Sequence, residues 1–172
     1  MKATTLRLAM FMLLLSLFGG CVSIKSVTDP NFKKHISRAF VQIRTSESAS
    51  GFSKDLQREL VKGFERYGID CRVHDRSALS LEGASDIKKK MEEYNPDVII
   101  IISQTEQKYY NGATSGGEFE LSMYEPNSDK PVWKAVLSSD TSGLGMGGAT
   151  TVAGKILSKL EEDKLIVLPV QK

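Results

Sequence analysis

Asp97-Val98-Ile99-Ile100-Ile101-Ile102 is the stretch on which the fold class turns. Five consecutive β-branched aliphatic residues leave no polar face, a pattern that suits a central strand covered on both sides. The run continues, less apolar, through Glu106 to Tyr110. Just upstream, Asn95-Pro96 stops a helix, because proline disfavours helical backbone in the residue before it. That helix opens at Ala84 or Ser85, with Ile87, Met91 and Tyr94 inward and Lys88-Lys89-Lys90 outward. Before it, residues 69–74 read as a strand. An earlier helix places Leu56, Leu60 and Phe64 at spacing four, with Ser53 as its N-cap and Gly68 as its C′ glycine. Residues 39–45, with Phe40-Val41-Gln42-Ile43, read as the first strand. Downstream of the isoleucines, 111–117 reads as a turn, and 118–124 alternates Phe119, Leu121 and Met123 against Glu118, Glu120 and Ser122. Residues 125–130 form a hairpin connection. Residues 132–138 return as a strand, with Trp133, Ala135 and Leu137 on one face. A last helix runs from about Ala149 to Asp163, with Val152, Ile156, Leu157 and Leu160 inward. Leu165 to Val170 is a short apolar tail, with an edge strand as one reading of it. The order is β-α-β-α-β-β-β-α. Two right-handed crossovers lay the first three strands parallel, and the last two extend the sheet as an antiparallel meander. The expectation is a single α/β domain with a mixed five-stranded sheet in spatial order 2-1-3-4-5 and helices packed on it.

The amino terminus carries a different signal. Lys2 and Arg7 precede an apolar run from Leu8 to Phe18 of about 11 residues, whereas a membrane-crossing helix needs roughly 20. A basic start, a short apolar run and small residues at Gly19-Gly20 are the parts of a secretory signal. Leu17-Phe18-Gly19-Gly20-Cys21 resembles the lipobox of bacterial lipoproteins, with Phe18 where leucine is usual. The resemblance implies that residues 1–20 are removed and that Cys21 carries lipid on its sulfur and its amine. A plain signal peptide cleaved near Gly20, leaving Cys21 free, is the other reading of these residues. In bacterial lipoproteins an aspartate directly after the cysteine commonly marks inner-membrane retention. Val22 stands there, so the resemblance implies the outer membrane. Residues 21–38 are polar, contain Pro30 and show no sustained period. They read as a tether between lipid and fold, leaving 39–172 as a periplasmic α/β domain.

The charge balance narrows the function classes. The chain has 172 residues with 23 basic and 21 acidic side chains. Removing residues 1–20 takes Lys2 and Arg7 and no acid, so 152 residues remain with 21 charges of each sign. That balance argues against a broad nucleic-acid-binding surface. With Cys21 spent on lipid, Cys71 is the remaining thiol and no intramolecular disulfide forms. Cys71 lies in the alternation Ile69-Asp70-Cys71-Arg72-Val73 and reads as a small buried hydrophobe. His74, three positions on, points to the opposite strand face and cannot activate it. His35 and His74 have no metal-ligand spacing. Gly143-Leu144-Gly145-Met146-Gly147-Gly148 matches Gly-x-Gly-x-x-Gly but follows the fifth strand rather than the first of a β-α-β unit. It reads as a flexible loop that could serve as a contact loop against a neighbouring subunit. Asp70, Asp75, Glu118 and Glu120 lack the spacing of an acid/base pair. Lys88-Lys89-Lys90 reads as a solvated helix face. No catalytic, cofactor-binding or metal-ligating set is therefore read; Cys21, as a lipidation site, is the expected site residue.

A lipobox followed by this strand and helix order resembles small periplasmic lipoproteins with a TolB amino-terminal-like fold. That group includes LpoB-like activators of penicillin-binding proteins, PelC-like exopolysaccharide secretion lipoproteins and CsgG-like secretion subunits. The phrases that carry the resemblance are Tyr94-Asn95-Pro96-Asp97-Val98-Ile99-Ile100, Glu120-Leu121-Ser122-Met123-Tyr124 and Pro131-Val132-Trp133-Lys134-Ala135. It implies a non-catalytic, lipid-anchored outer-membrane protein facing the periplasm: a scaffold, assembly subunit or accessory factor of an envelope complex, with protein partners and a homo-oligomer as possible states. The alternative is a binding module for a glycan or small ligand, with Tyr109, Tyr110 and Trp133 lining its pocket.

Overall fold

The computed structural model describes residues 21–76, 81–110, 113–140 and 148–169. Six strands form one sheet: β1 (Cys21–Thr28), β2 (Arg38–Arg44), β3 (Asp70–Arg76), β4 (Val98–Tyr110), β5 (Ala113–Tyr124) and β6 (Pro131–Asp140). A short 3₁₀ turn (Glu47–Ala49) leads into helix α1 (Ser50–Arg66); α2 is Ala84–Tyr94 and α3 is Gly148–Glu162. The sheet order is β1-β6-β5-β4-β2-β3. β2 pairs parallel with β3 and β4, and the β4-β5, β5-β6 and β6-β1 pairs are antiparallel. This is the mixed sheet expected from the sequence, with a sixth strand added at its edge.

That strand corrects the reading of residues 21–38 as a tether. Cys21–Thr28 pairs with β6 over its whole length, from Cys21 opposite Asp140 to Thr28 opposite Trp133. Val22 and Ile24 pack against the core, while Val27 is 77% exposed on the other face. A short connection then carries the chain to β2, where Asp97 fixes the entry. Its Oδ2 accepts from Ser37 N–H (2.8 Å), Ser37 Oγ (2.7 Å) and Arg38 N–H (2.9 Å).

The main core lies between the sheet and the pair α1 and α3. Leu56, Leu60 and Phe64 of α1 and Val152, Ile156, Leu157 and Leu160 of α3 meet Val41, Ile43, Ile100, Ile102, Leu121, Met123, Trp133 and Leu137. Burying each large apolar side chain contributes about 2–3 kcal/mol. On the opposite face α2 covers the β2-β3-β4 half. Its Tyr94 ring packs 6.2 Å from Phe40, with the Arg38 and Arg72 guanidinium groups 4.5 and 4.6 Å from the ring centre. The lysines of α2 pair outward: Lys88 with Glu92, Lys89 with Glu93 and Lys90 with Glu82. Exposed pairs of this kind contribute about 0–1 kcal/mol, so the Tyr94 contact does more to hold α2 down. Ile99 and Ile101 are only half-buried beneath it, so the two-sided cover expected for β4 is complete on one face alone.

Three local expectations change. Ser53 is not an N-cap: the helix starts earlier, at Ser50, and Ser53 is fully buried within its first turn. Of the turn expected over 111–117, Ala113–Gly117 belong instead to β5, and 111–112 lie outside the described residues. The apolar tail forms no edge strand within its described part. Leu165 and Ile166 fold back after the left-handed Lys164 (φ 60°) and are buried, Leu165 N–H donating to Leu160 O at 2.9 Å. Gly68 does close α1 in the left-handed conformation (φ 71°).

Asp163 ties three elements together. Its Oδ2 accepts from Trp133 Nε1 (2.7 Å) and Ser26 Oγ (2.5 Å), and Lys159 Nζ lies 3.2 Å from Oδ1. Burial pushes its pKa up, but these hydrogen bonds outweigh it and the group sits below the ordinary carboxylate value. The Asp97 pKa is lowered in the same way. A carboxylate lowered in the folded state stabilises the fold above its unfolded pKa, near ~3.9, and that stability is lost as pH falls through the folded value. Asp163→Asn is expected to cost roughly 2 kcal/mol at pH 7 and to flatten the acid limb of the stability profile, read by denaturant melts between pH 7 and pH 2. Two helical glycines give a matched pair. A Cβ on Gly63 would lie 2.1 Å from Leu157 Cδ1, whereas one on Gly154 meets nothing within 4 Å. Gly154→Ala is expected to stabilise by about 0.5–1 kcal/mol and Gly63→Ala to destabilise by about 1–2 kcal/mol.

Candidate functional site

A notch opens where β2 ends and the strands β4, β5 and β6 run on past it. Arg44, the last residue of β2, stands in the row of Ser103, Glu120 and Val136, while β4 continues to Tyr110. The 3₁₀ turn and the first turn of α1 fill one side of this step, and the start of α3 borders another. Between them lies a cavity of about 240 Å³ lined by Ser48, Phe52, Gln104, Gly117, Phe119 and Ser139, with Gly148 at its rim. Phe52 and Phe119 stack there with ring centres 5.5 Å apart. Gln104 Oε1 accepts from Ser46 N–H (3.1 Å), and Gln107 Oε1 accepts from Ser48 Oγ (3.0 Å). These bonds pin the loop before α1 to the long strand.

Gly116-Gly117 shapes the floor. A Cβ on Gly117 would stand 2.7 Å from Glu106 O and 3.4 Å from Gln104 Nε2. Glycine here permits the close approach of β4 and β5 at their register shift between Gln104 and Glu106. None of the described lining residues is ionisable. The cavity can therefore stack an apolar ring face and exchange hydrogen bonds with amides and hydroxyls. Sequence reasoning did not single out these residues. Two adjacent glycines inside a strand were the available signal.

The residues singled out from sequence do not gather here. Trp133 is 1% exposed and turned into the core, so it lines no surface pocket, correcting its place in the ligand-binding alternative. Tyr109 and Tyr110 occupy the last two positions of β4. The segment 143–147 and the proposed signal, residues 1–20, lie outside the described residues, and Gly148 opens α3. Cys71 packs at the core margin opposite Ala39, whereas His74 lies on the other sheet face, stacked on Phe40 and 3.1 Å from Glu82. Thiol and imidazole do not meet. Asp70 faces Arg38 at 3.8 Å across the strand pair. Among the described residues no group of three or more histidine, cysteine and acidic side chains is placed to hold a metal, and no helix is long and apolar enough to cross a membrane.

Fold and cavity together define a single mixed α/β domain with two helices on one sheet face and one on the other. Neither a family model nor any curated protein matches the chain in sequence. Among solved structures it resembles a leucine-to-methionine variant of the PelC dodecamer from Paraburkholderia phytofirmans. The identity is 15%, with 81% of this chain and 96% of that chain covered, at a TM-score of 0.54. Another crystal form of the PelC dodecamer from the same organism matches at 14% identity, covering 81% and 94% at a TM-score of 0.49. The likeness is one of fold.

Burial, with a smaller contribution from Asp70, pushes the Cys71 thiol up to about 12. A thiol so raised stays protonated at pH 8. Iodoacetamide is expected to label Cys71 in the folded domain at a rate set by unfolding, so that added denaturant accelerates it steeply. Rapid native labelling would contradict this burial.

Proposed function

We propose that this chain is a lipid-anchored protein of the outer membrane, facing the periplasm, that acts without catalysis as an assembly subunit or scaffold of an envelope complex. Residues 1–20 are the signal removed on export, and Cys21 carries the lipid. The observation that carries the reading is the likeness of four-fifths of the chain to a subunit of the PelC dodecamer, joined to a lipobox-like sequence ending at Cys21. PelC-like lipoproteins belong to exopolysaccharide secretion, and an accessory part in polysaccharide export is the form of the proposal that this likeness favours.

Self-association is part of the proposal, through the half of the sheet that α2 leaves open. There Val27 is 77% and Val136 is 44% exposed. They lie on neighbouring strands among Lys25, Lys134 and Glu120, a mixture of apolar and paired-sign groups suited to a subunit interface. Light scattering of the domain from Cys21 onward, with Cys21→Ser, is expected to give one discrete mass above the monomer. Val27→Asp with Val136→Asp is expected to return it to monomer without loss of helical signal. A parent protein that stays monomeric across concentration would sink the assembly reading.

The Phe52-Phe119 cavity favours a second reading, a module for a glycan or small ligand. Saturable binding of a sugar, abolished by Gln104→Ala, is the result that would promote it over the first.

A further inference from the structure

On the sheet face that carries α2, a groove of about 410 Å³ runs along β4 between that helix and the β5-β6 connection. Its floor is apolar. Ile99 and Ile101 are half-buried there, with Met91 of α2 and Tyr124 of β5 beside them. Arg44 and Arg76 line one end, in the row of Ser103. Glu125 and Asp129 line the other, where Glu125 follows Tyr124, the residue opposite Ile99. From the Ser103 row to the Ile99 row is four residues of β4, or roughly 13 Å.

The basic end is held in place by a buried side chain. Gln42 is 5% exposed in the middle of β2, where an amide without a partner is costly. Its Oε1 accepts from Arg44 Nε at 3.2 Å and from Arg44 Nη2 at 2.7 Å. One edge of the guanidinium is thereby fixed, and the remaining donors are left for a ligand. Arg76 stands opposite Arg44 on β3, so two like charges share this end. Such a pair is relieved by an anion, and guanidinium groups suit a carboxylate. Glu120 shares the row but stands two strands from Arg44, roughly 10 Å away. Among the described residues Arg44, Arg76, Glu125 and Asp129 enter no ion pair, whereas the three lysines of α2 all do.

The charges at the two ends select the occupant. A fatty acid or a simple anion would satisfy the arginines and leave Glu125 and Asp129 unanswered. An extended peptide answers both. Its side chains i, i+2 and i+4 point to one side, and i and i+4 lie about 13 Å apart. We infer that this groove binds an extended segment of a partner protein. The segment carries an acidic side chain on Arg44 and Arg76, an apolar one two residues along over Ile99 and Ile101, and a basic one two further at Glu125 and Asp129. This site stands apart from the anchor at Cys21 and from self-association through Val27 and Val136.

The test uses the full chain, extracted in mild detergent, and fluorescein-labelled peptides followed by anisotropy. Each peptide has one lysine and one aspartate, in either order, about two, four or six residues apart with leucine and threonine between. Saturable binding that is tightest at a spacing of four, by about tenfold, is the expected result. Arg44→Glu is expected to weaken that peptide about tenfold and to favour instead the version with lysine in place of aspartate. A variant that had merely unfolded would not exchange its preference. Absence of binding, equal binding at every spacing, or binding unchanged by Arg44→Glu overturns the inference. Loss of an oligomer on Arg44→Glu, read by light scattering and without peptide binding to the parent, assigns the groove to a second copy and overturns it too.

Discussion

A buried indole N–H needs an acceptor, and Trp133 finds one in Asp163 at 2.7 Å. The same carboxylate takes the hydroxyl of Ser26 and lies against Lys159. One side chain at the end of α3 thus holds β6 and β1, and through β1 the amino terminus of the folded chain. Leaving the indole unpaired would cost about 1–3 kcal/mol, so Asp163 has little freedom to move. Leu165 and Ile166 close the space beneath it by folding back onto the core. The later half of β1, the start of β6 and the end of the last helix therefore meet in one cluster.

From that cluster the asymmetry of the molecule follows. One sheet face is sealed by α1 and α3. The other is covered by α2 over β2, β3 and β4, leaving β5, β6 and β1 open. The open half carries Val27 and Val136, both exposed on neighbouring strands. The sheet is also uneven in length, since four strands outrun β2 and β3. The cavity between Phe52 and Phe119 lies in that step, where the helix starts meet the long strands. In doubly wound sheets, ligand crevices also form beyond the carboxyl ends of parallel strands.

Most of the core was legible in the sequence because it obeys simple periods. Leu56, Leu60 and Phe64 recur every four residues, and Trp133, Ala135 and Leu137 alternate; all are buried. The strand order 2-1-3-4-5 survives inside the six-stranded sheet, since right-handed crossovers and hairpins leave few other choices. β1 was missed because an edge strand needs only one apolar row. Val22 and Ile24 supply it, but Ser23, Lys25 and Ser26 give the stretch the composition of a linker. Its partner, β6, lies more than a hundred residues away, beyond the reach of any local pattern. Gly116-Gly117 hid the start of β5 for a related reason: glycine reads as a turn, yet here it lets two strands approach. The cavity was illegible because its residues come from six separate elements.

The central claim is that residues 21–28 are part of the folded sheet, so that any lipid on Cys21 is attached directly to the domain. Hydrogen exchange on the Cys21→Ser domain tests it most directly. Peptides covering 22–28 are expected to exchange together with β6, slowed by orders of magnitude relative to an unstructured chain. Exchange of those amides at the unstructured rate, while β6 stays protected, would contradict the account and restore the tether.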